Sequence, residues 1–280
     1  MWLLVKIRME KIYMLKNQLN AFTGCIDQQI CKKLLKISTV NAFAAVFIVF
    51  LLATARTLHY LMAPDLYHTC VTSLLSYFKI MDLPTFFSYQ FINTYINSTP
   101  LYAVSLFYIM YCHTVYLCVC GKQLPAEKLH KLQKIFEEFE NVFSLLVFIV
   151  FAHFLCRFLS IIFMFSYILK YQATSLIHSF IAEFIFHSLS VIALVLSADS
   201  LQCSMNEACK LEVSLALDSQ VFKALDAKCF KILNRQEPLF LTGWGMFKIR
   251  KPLLLSLTTW LLTYAVIIMQ FVCSVPNNGR

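Results

Sequence analysis

Residues 142–169 read VFSLLVFIVFAHFLCRFLSIIFMFSYIL, an apolar run whose only charged side chain is that of Arg157. A helix needs about 20 predominantly apolar residues to cross a bilayer, and this run is long enough. On either side of it the same pattern recurs, which predicts five spanning helices in all. The other predicted spans are Ser38 to Leu58, Thr99 to Cys120, Ser175 to Leu201 and Leu253 to Cys273.

The composition of the chain also indicates that its solvent is the lipid bilayer. Hydrophobic residues make up 59% of the chain and charged residues 14%, whereas a soluble domain carries about 25% charged residues. The net charge of +9 is divided among basic clusters that long apolar runs separate, which disfavours a nucleic-acid partner. The predicted fold class is therefore all-α, a polytopic membrane helical bundle.

A sixth stretch, Cys70 to Ile96, is apolar but contains Lys79, Asp82 and Pro84. We interpret it as a loop with amphipathic or re-entrant character. A sixth span would scramble the separation of basic residues between the two faces of the membrane.

The positions of Lys and Arg predict the orientation of the spans. Most of the 24 basic residues lie before residue 38 and in the loops 121–141 and 202–252. Because basic loops stay in the cytoplasm, the N-terminus is predicted to be cytoplasmic and the C-terminus extracellular. The chain then divides into a basic cytoplasmic segment (1–37), membrane helices with a cytoplasmic helix at about 125–141 (38–201), cytoplasmic helices (202–252) and a last span (253–274).

This topology places the sequon Asn97-Ser98-Thr99 in an extracellular loop. Asn97 is therefore a candidate for N-glycosylation.

Two apolar stripes with steps of three and four residues predict long cytoplasmic helices. The first stripe starts after Pro125, and its helix is expected to run unbroken into the third span. Each stripe indicates either packing within one subunit or a bundle in which several subunits meet. The stripes are Leu129, Leu132, Phe136, Phe139 and Phe143, and then Leu211, Leu215, Asp218, Phe222, Leu225, Cys229 and Ile232.

Ionisable residues lie within the third and fourth spans, where a charge costs about 3 kcal/mol by insertion scales. His153 and Arg157 share one face of the third span, and Glu183 and His187 share one face of the fourth. Because the two helices are antiparallel neighbours, we hypothesise an intramembrane pair between Arg157 and Glu183. Such a pair either joins the helices or lines a ligand cavity.

No catalytic set, metal-ligand spacing or nucleotide motif accompanies these residues. The sequence therefore predicts a protein that is not an enzyme and holds no cofactor or metal.

The last span contains TYAVIIMQF at residues 263–271, and FLTGWGMFKI precedes it at residues 240–249. Both stretches resemble the C-terminal signature of insect gustatory receptors. Residues 129–146 and 198–212 are similar to the family's fifth and sixth helices, so the likeness covers roughly Glu127 to Phe271. The five predicted spans then correspond to the last five of a seven-helix insect chemoreceptor.

The resemblance implies a taste receptor of the plasma membrane, a ligand-gated non-selective cation channel that detects small tastants. Such receptors are homo- or hetero-tetramers in which the last helix lines the pore and the cytoplasmic helices form an anchoring domain. The pore residues it implies are Thr263, Tyr264, Ile267, Gln270 and Phe271. A ring of Gln270 amides is able to contact hydrated cations, and Ile267 is able to close a pore by dewetting. Alternatively, Tyr264 and Gln270 hydrogen-bond helices together.

Two other interpretations remain open. Family members usually have seven spans, so we expect that this chain lacks two N-terminal helices, as a truncated non-functional or modulatory receptor copy does. A polytopic secondary transporter is the alternative from another class, but internal repeats and Gly- or Pro-broken helices in matching positions are absent from the sequence. A G-protein-coupled receptor is disfavoured by the predicted cytoplasmic N-terminus.

Overall fold

The structure, a computed structural model, describes residues 2–24, 36, 43, 47, 50, 54, 83–120, 124–171, 177–218 and 238–274. Within these residues, five helices and one two-stranded sheet form. The helices are α1 (Trp2–Gly24), α2 (Leu83–Val119), α3 (Ala126–Tyr171), α4 (Ile177–Asp218) and α5 (Lys251–Ser274), and the strands are β1 (Thr242–Gly243) and β2 (Phe247–Lys248).

Four of the described helices are long and apolar enough to cross a membrane. The candidate spans within them are Thr99–Val119, Ala126–Ser166, Phe180–Glu212 and Lys251–Phe271, which confirms four predicted spans. The first predicted span, Ser38 to Leu58, lies almost wholly outside the described residues. The fold class is confirmed as an all-α membrane helical bundle.

Helix α2 corrects the prediction of a loop over residues 70–96. Residues 83–96 are helical and continue without a break into the following span, and Pro100 lies inside the helix. Pro84 is tolerated because it occupies the first turn, where a backbone N–H has no helical partner. The predicted span begins next to Pro100, but backbone groups near lipid need partners within the chain, which favours continuing the helix through this residue. Residues 70–82 lie outside the described part of the chain.

Helix α3 confirms that the helix predicted to start after Pro125 continues without a break into the third predicted span. It begins directly after Pro125, whose carbonyl accepts the Leu129 N–H at 3.0 Å, and it runs to Tyr171 without interruption. The side chains of the first predicted stripe are all buried within the single chain, which favours packing within one subunit for this stripe. They are Leu129, Leu132, Phe136, Phe139 and Phe143.

The second predicted stripe is only partly described. Leu211 is exposed near the end of α4, and residues 219–237 lie outside the described part of the chain. Within the region 202–252, which is predicted to form helices, residues 242–248 form a β-hairpin instead. Two glycines in the segment Gly243-Trp244-Gly245 favour a turn over a helix.

The described residues belong to two compact units, which we treat separately. The first unit comprises Met1–Asn41, Val104–Val150 and Ile192–Leu254, and the second comprises Ala42–Ala103, Phe151–Val191 and Leu255–Arg280. In the first unit, Tyr111 stacks on Phe139 with ring centroids 3.7 Å apart. The buried side chains of Leu15, Leu194 and Leu201 also belong to this unit.

The hairpin of the first unit pairs Thr242 with Lys248 and Gly243 with Phe247. Trp244 and Gly245 have φ values of 52° and 70°, as the two central residues of a type I′ turn require. The Met246 N–H closes the turn by donating to the Gly243 carbonyl at 2.9 Å. A Cβ atom at Gly243 would lie 2.4 Å from the Phe247 ring, so this position requires glycine.

Candidate functional site

A buried chain of polar side chains lies in the second unit. Arg157 of α3 donates from Nε to Oε1 of Glu183 in α4 at 3.1 Å, and its Nη2 atom contacts the same oxygen. Glu183 is buried and Arg157 is half-buried. The structure thus brings together the two residues that the sequence analysis paired, and their opposite charges compensate each other in apolar surroundings.

His187 extends this chain to a third helix. Its Nε2 lies 3.5 Å from Glu183 Oε1, since the two residues are one turn apart on α4. Its Nδ1 lies 2.9 Å from the hydroxyl of Tyr102 in α2, and both side chains are buried. We call the four residues Arg157, Glu183, His187 and Tyr102 the polar chain. It links three helices through hydrogen bonds and charge.

Aromatic rings enclose the His187 end of the polar chain. The Phe154 and His187 rings lie 5.5 Å apart, and the Phe158 ring meets His187 edge-on at 6.2 Å. Phe186 lies 5.1 Å from the Tyr102 ring. The arrangement combines hydrogen-bonding groups with apolar faces, a combination found in sites that bind small amphiphilic molecules.

His153, the fourth intramembrane candidate, has its described ring contact with Phe154, its neighbour in sequence. Sequence reasoning missed Tyr102. The sequence carries only a weak signal for it, because no periodicity shows which face of α2 opposes His187.

A second polar cluster lies in the first unit and holds the hairpin. The Glu140 carboxylate of α3 accepts the Thr242 N–H at 3.0 and 3.1 Å with its two oxygens, and it also accepts the Thr242 hydroxyl. One turn along α3, the Ser144 carbonyl accepts the Trp244 N–H at 3.1 Å. One face of α3 therefore binds the first strand and the turn.

Helix α4 holds the other side of the same segment through two amide side chains. Gln202, which is fully buried, accepts the Leu241 N–H at 3.1 Å and donates to the Ile249 carbonyl at 2.7 Å. Asn206 accepts the Leu239 N–H at 2.9 Å and donates to the Leu239 carbonyl at 3.2 Å. These side chains pair with the backbone as a neighbouring strand does. We call Glu140, Gln202 and Asn206 the hairpin clamp.

Next to the hairpin clamp, an acidic side chain lies close to two basic residues at the start of α5. Asp199 of α4 lies 3.8 Å from Arg250 and 3.4 Å from Lys251, the first residue of α5. Sequence reasoning missed the clamp, although one signal was present. Gln202 and Asn206 are one turn apart, directly after an apolar span, and Glu140 directly precedes another.

The residues of the TYAVIIMQF motif lie on α5 and belong to neither cluster. Thr263 donates its hydroxyl to the Thr259 carbonyl at 2.9 Å, and the Tyr264 and Trp260 rings lie 4.4 Å apart. Ile267, Gln270 and Phe271 are exposed on the single chain. Their role in a pore stays a prediction.

Asn97 lies within α2 and not in the expected loop. The hydroxyl of Thr99, the third residue of the sequon, donates to the Tyr95 carbonyl at 2.5 Å. Glycosylation of Asn97 stays a prediction.

Comparison with known proteins finds structural likeness alone. No protein-family model matches the sequence, and no curated protein matches it. The fold is similar to that of the insect olfactory receptor OR5 from Machilis hrabei, with a TM-score of 0.61 and 16% identity over 96% of this chain and 76% of that one. The structure of that receptor in complex with eugenol is also similar, with a TM-score of 0.58 and 14% identity over 95% and 76%. The chain therefore has the helical membrane fold of the insect olfactory receptors, in agreement with the insect chemoreceptor resemblance of its sequence.

Proposed function

We propose that this chain is a subunit of a gustatory receptor, a ligand-gated non-selective cation channel of the plasma membrane that detects small tastants. The observation that carries the proposal is the fold shared with an insect olfactory receptor. The TYAVIIMQF motif at residues 263–271 supports the gustatory class, because it resembles the signature of that family.

Helix α5 supports the assembly into a channel. Among its described side chains none is buried within the single chain, although the helix is apolar along its length. In a homo- or hetero-tetramer, other subunits would cover part of this surface and lipid the rest. Thr263, Ile267 and Gln270 are three or four residues apart and so share one face. We assign that face to the pore, with Gln270 amides contacting permeating cations and Ile267 closing the pore when it dewets.

The polar chain supports the recognition of a small molecule. The similar receptor from Machilis hrabei was solved with eugenol, a small aromatic compound that carries a hydroxyl group. A tastant of that kind would pack against Phe154 or Phe158 and hydrogen-bond His187 or Tyr102. In the alternative role, the polar chain only joins helices, and its substitution would change stability without changing the response.

The proposed topology follows from the basic residues. Lys and Arg concentrate in the N-terminal segment 1–37 and in the region 202–252, so both are cytoplasmic in this topology. The C-terminus is then extracellular. The hairpin then lies at the cytoplasmic start of the pore helix, and the hairpin clamp fixes that start relative to α3 and α4.

The test is a recording of membrane current from cells that express the chain without added G proteins, with eugenol and a panel of tastants as stimuli. We expect a ligand-evoked cation current, and Gln270→Ala should change its conductance or ion selectivity. Thr258→Ala is the matched control, because it truncates a polar residue on another side of the same helix. A chain that reaches the cell surface, passes no current and instead accumulates a labelled solute would be a transporter.

The assignment of Gln270 to the pore is tested by comparing two variants. If Gln270→Ala and Thr258→Ala give currents identical to that of the unaltered chain, Gln270 does not contact permeating ions. The channel proposal would survive that result, but the assigned pore face would not.

A further inference from the structure

The turn of the hairpin carries two large apolar side chains that are mostly exposed. Trp244 is 60% exposed and Met246 is 68% exposed, although the hairpin clamp binds the backbone on both sides of them. Trp244 also has a φ of 52°, a left-handed conformation that is unfavourable for a non-glycine residue. The Trp244 ring contacts the Phe148 ring of α3, with centroids 5.5 Å apart, and the rest of the indole and the Met246 side chain are open to a partner outside the chain.

Basic side chains follow directly after this turn. Lys248 and Arg250 lie over the Phe240 ring, 3.7 and 5.1 Å from its centroid, and the Lys251 side chain is 66% exposed. The facing acidic groups are Asp199, which lies close to Arg250 and Lys251, and Glu140, which binds Thr242. Three cations therefore face two carboxylates, one of which binds the Thr242 backbone, and the surface carries a net positive charge.

The position of the hairpin along the chain places it at a membrane boundary. Strand β2 ends at Lys248 and the candidate span Lys251–Phe271 begins three residues later. Tryptophan is enriched at the level of the lipid headgroups, and basic residues beside a span attract anionic lipids. The exposed tryptophan of the turn and the basic side chains after it are therefore both suited to the headgroup region of a bilayer.

We infer that Trp244, Met246, Lys248, Arg250 and Lys251 form a binding surface for the headgroups of anionic phospholipids. The indole and thioether lie among the glycerol and upper acyl groups, and the ammonium and guanidinium groups contact the phosphates. A second copy of the chain fits this surface less well, because related copies would bring like charges together. The surface does not depend on the proposed channel function, since lipid binding requires neither a tastant nor a current.

The experiment uses the full chain reconstituted in nanodiscs of equal amounts of phosphatidylcholine and phosphatidylserine. After transfer to detergent, the phospholipid retained by the protein is measured by mass spectrometry. We expect phosphatidylserine to be enriched over phosphatidylcholine, and K248Q/K251Q to lower that enrichment roughly tenfold. The matched control K134Q/K210Q removes two exposed lysines elsewhere and should retain the enrichment, as should K248R/K251R, which keeps the charge.

A second measurement addresses the tip. Brominated lipids should quench the fluorescence of the unaltered chain more than that of Trp244→Asn, in which asparagine tolerates the left-handed backbone. Equal retention of both lipids by the unaltered chain overturns the proposal, whether or not the variants fold. Equal quenching of the unaltered chain and Trp244→Asn overturns the placement of Trp244 in lipid and indicates that protein, such as a second copy, covers the turn.

Discussion

His187 contacts both Glu183 and Tyr102: its Nε2 lies 3.5 Å from the carboxylate and its Nδ1 lies 2.9 Å from the phenol oxygen. The imidazole thus connects the charged half of the polar chain to an uncharged hydroxyl on another helix. Removing the Glu183 contact perturbs the charged half of the polar chain, and removing the Tyr102 contact perturbs the uncharged half. Separate variants therefore test the two halves.

We predict that Arg157→Leu destabilises the protein more than Glu183→Gln. The leucine leaves the Glu183 carboxylate buried without its guanidinium, at a cost of about 3–5 kcal/mol, whereas the amide removes the buried charge and leaves Arg157 half-buried. Thermal unfolding in detergent, followed by intrinsic fluorescence, measures the difference. The double variant Arg157→Leu/Glu183→Gln should recover part of the loss, and simple additivity of the two single losses would contradict a direct interaction.

Tyr102→Phe should cost about 1 kcal/mol or slightly more, because it removes the hydroxyl that meets His187 and keeps the ring among Phe154 and Phe186. Tyr264→Phe, on exposed α5, is the control and should leave the unfolding temperature unchanged. If the polar chain recognises tastants, Tyr102→Phe also shifts the concentration that gives half of the maximal current. An unchanged dose response together with the stability loss would assign Tyr102 a purely structural role.

Glu140→Gln should loosen the hairpin. The amide loses the charge-assisted hydrogen bonds to Thr242, each worth about 1.5–3 kcal/mol, and retains a weaker neutral one. Hydrogen–deuterium exchange of peptides covering residues 239–249 should therefore accelerate. Glu137→Gln, an exposed position on the same helix, is the control. Equal exchange in both variants would show that the carboxylate does not hold the hairpin.

Gln202→Leu is predicted to be the most damaging change in the hairpin clamp. It leaves the Leu241 N–H and the Ile249 carbonyl without the amide in a buried region, at a cost of about 1–3 kcal/mol for each group. Gln133→Leu is the matched control, because the buried Gln133 amide donates to the Cys209 thiol, a weak acceptor. Comparable losses in thermal stability for the two variants would contradict the role assigned to Gln202.

Much of the fold follows from apolar run length, because a run such as residues 142–169 has few alternatives to a spanning helix. The stripe from Leu129 to Phe143 correctly predicts that α3 begins well before the predicted span that starts at Val142. The loop prediction for residues 83–96 is wrong because Lys79, Asp82 and Pro84 count against a sixth membrane span but do not prevent a helix from starting at Leu83. Pro84 lies in the first turn, where proline is compatible with a helix.

The candidate sites are less predictable. Arg157 and Glu183 can be paired from sequence because a charge in a span requires a partner and the two helices are adjacent along the chain. Tyr102 and the hairpin clamp depend on which helix faces meet, and one sequence contains no direct record of that. The hairpin segment resembles the gustatory receptor signature, but that likeness does not reveal its type I′ turn, since Trp244 is an unusual residue at positive φ.

The way in which Gln202 and Asn206 bind residues 239–249 affects how that segment is released. A two-stranded hairpin is marginally stable by itself in water, and here two amide side chains replace the missing third strand. Loss of one amide contact removes the support for the next, so the segment opens as a cooperative unit and not residue by residue. The start of α5 is therefore either seated or released, which is the behaviour of a latch.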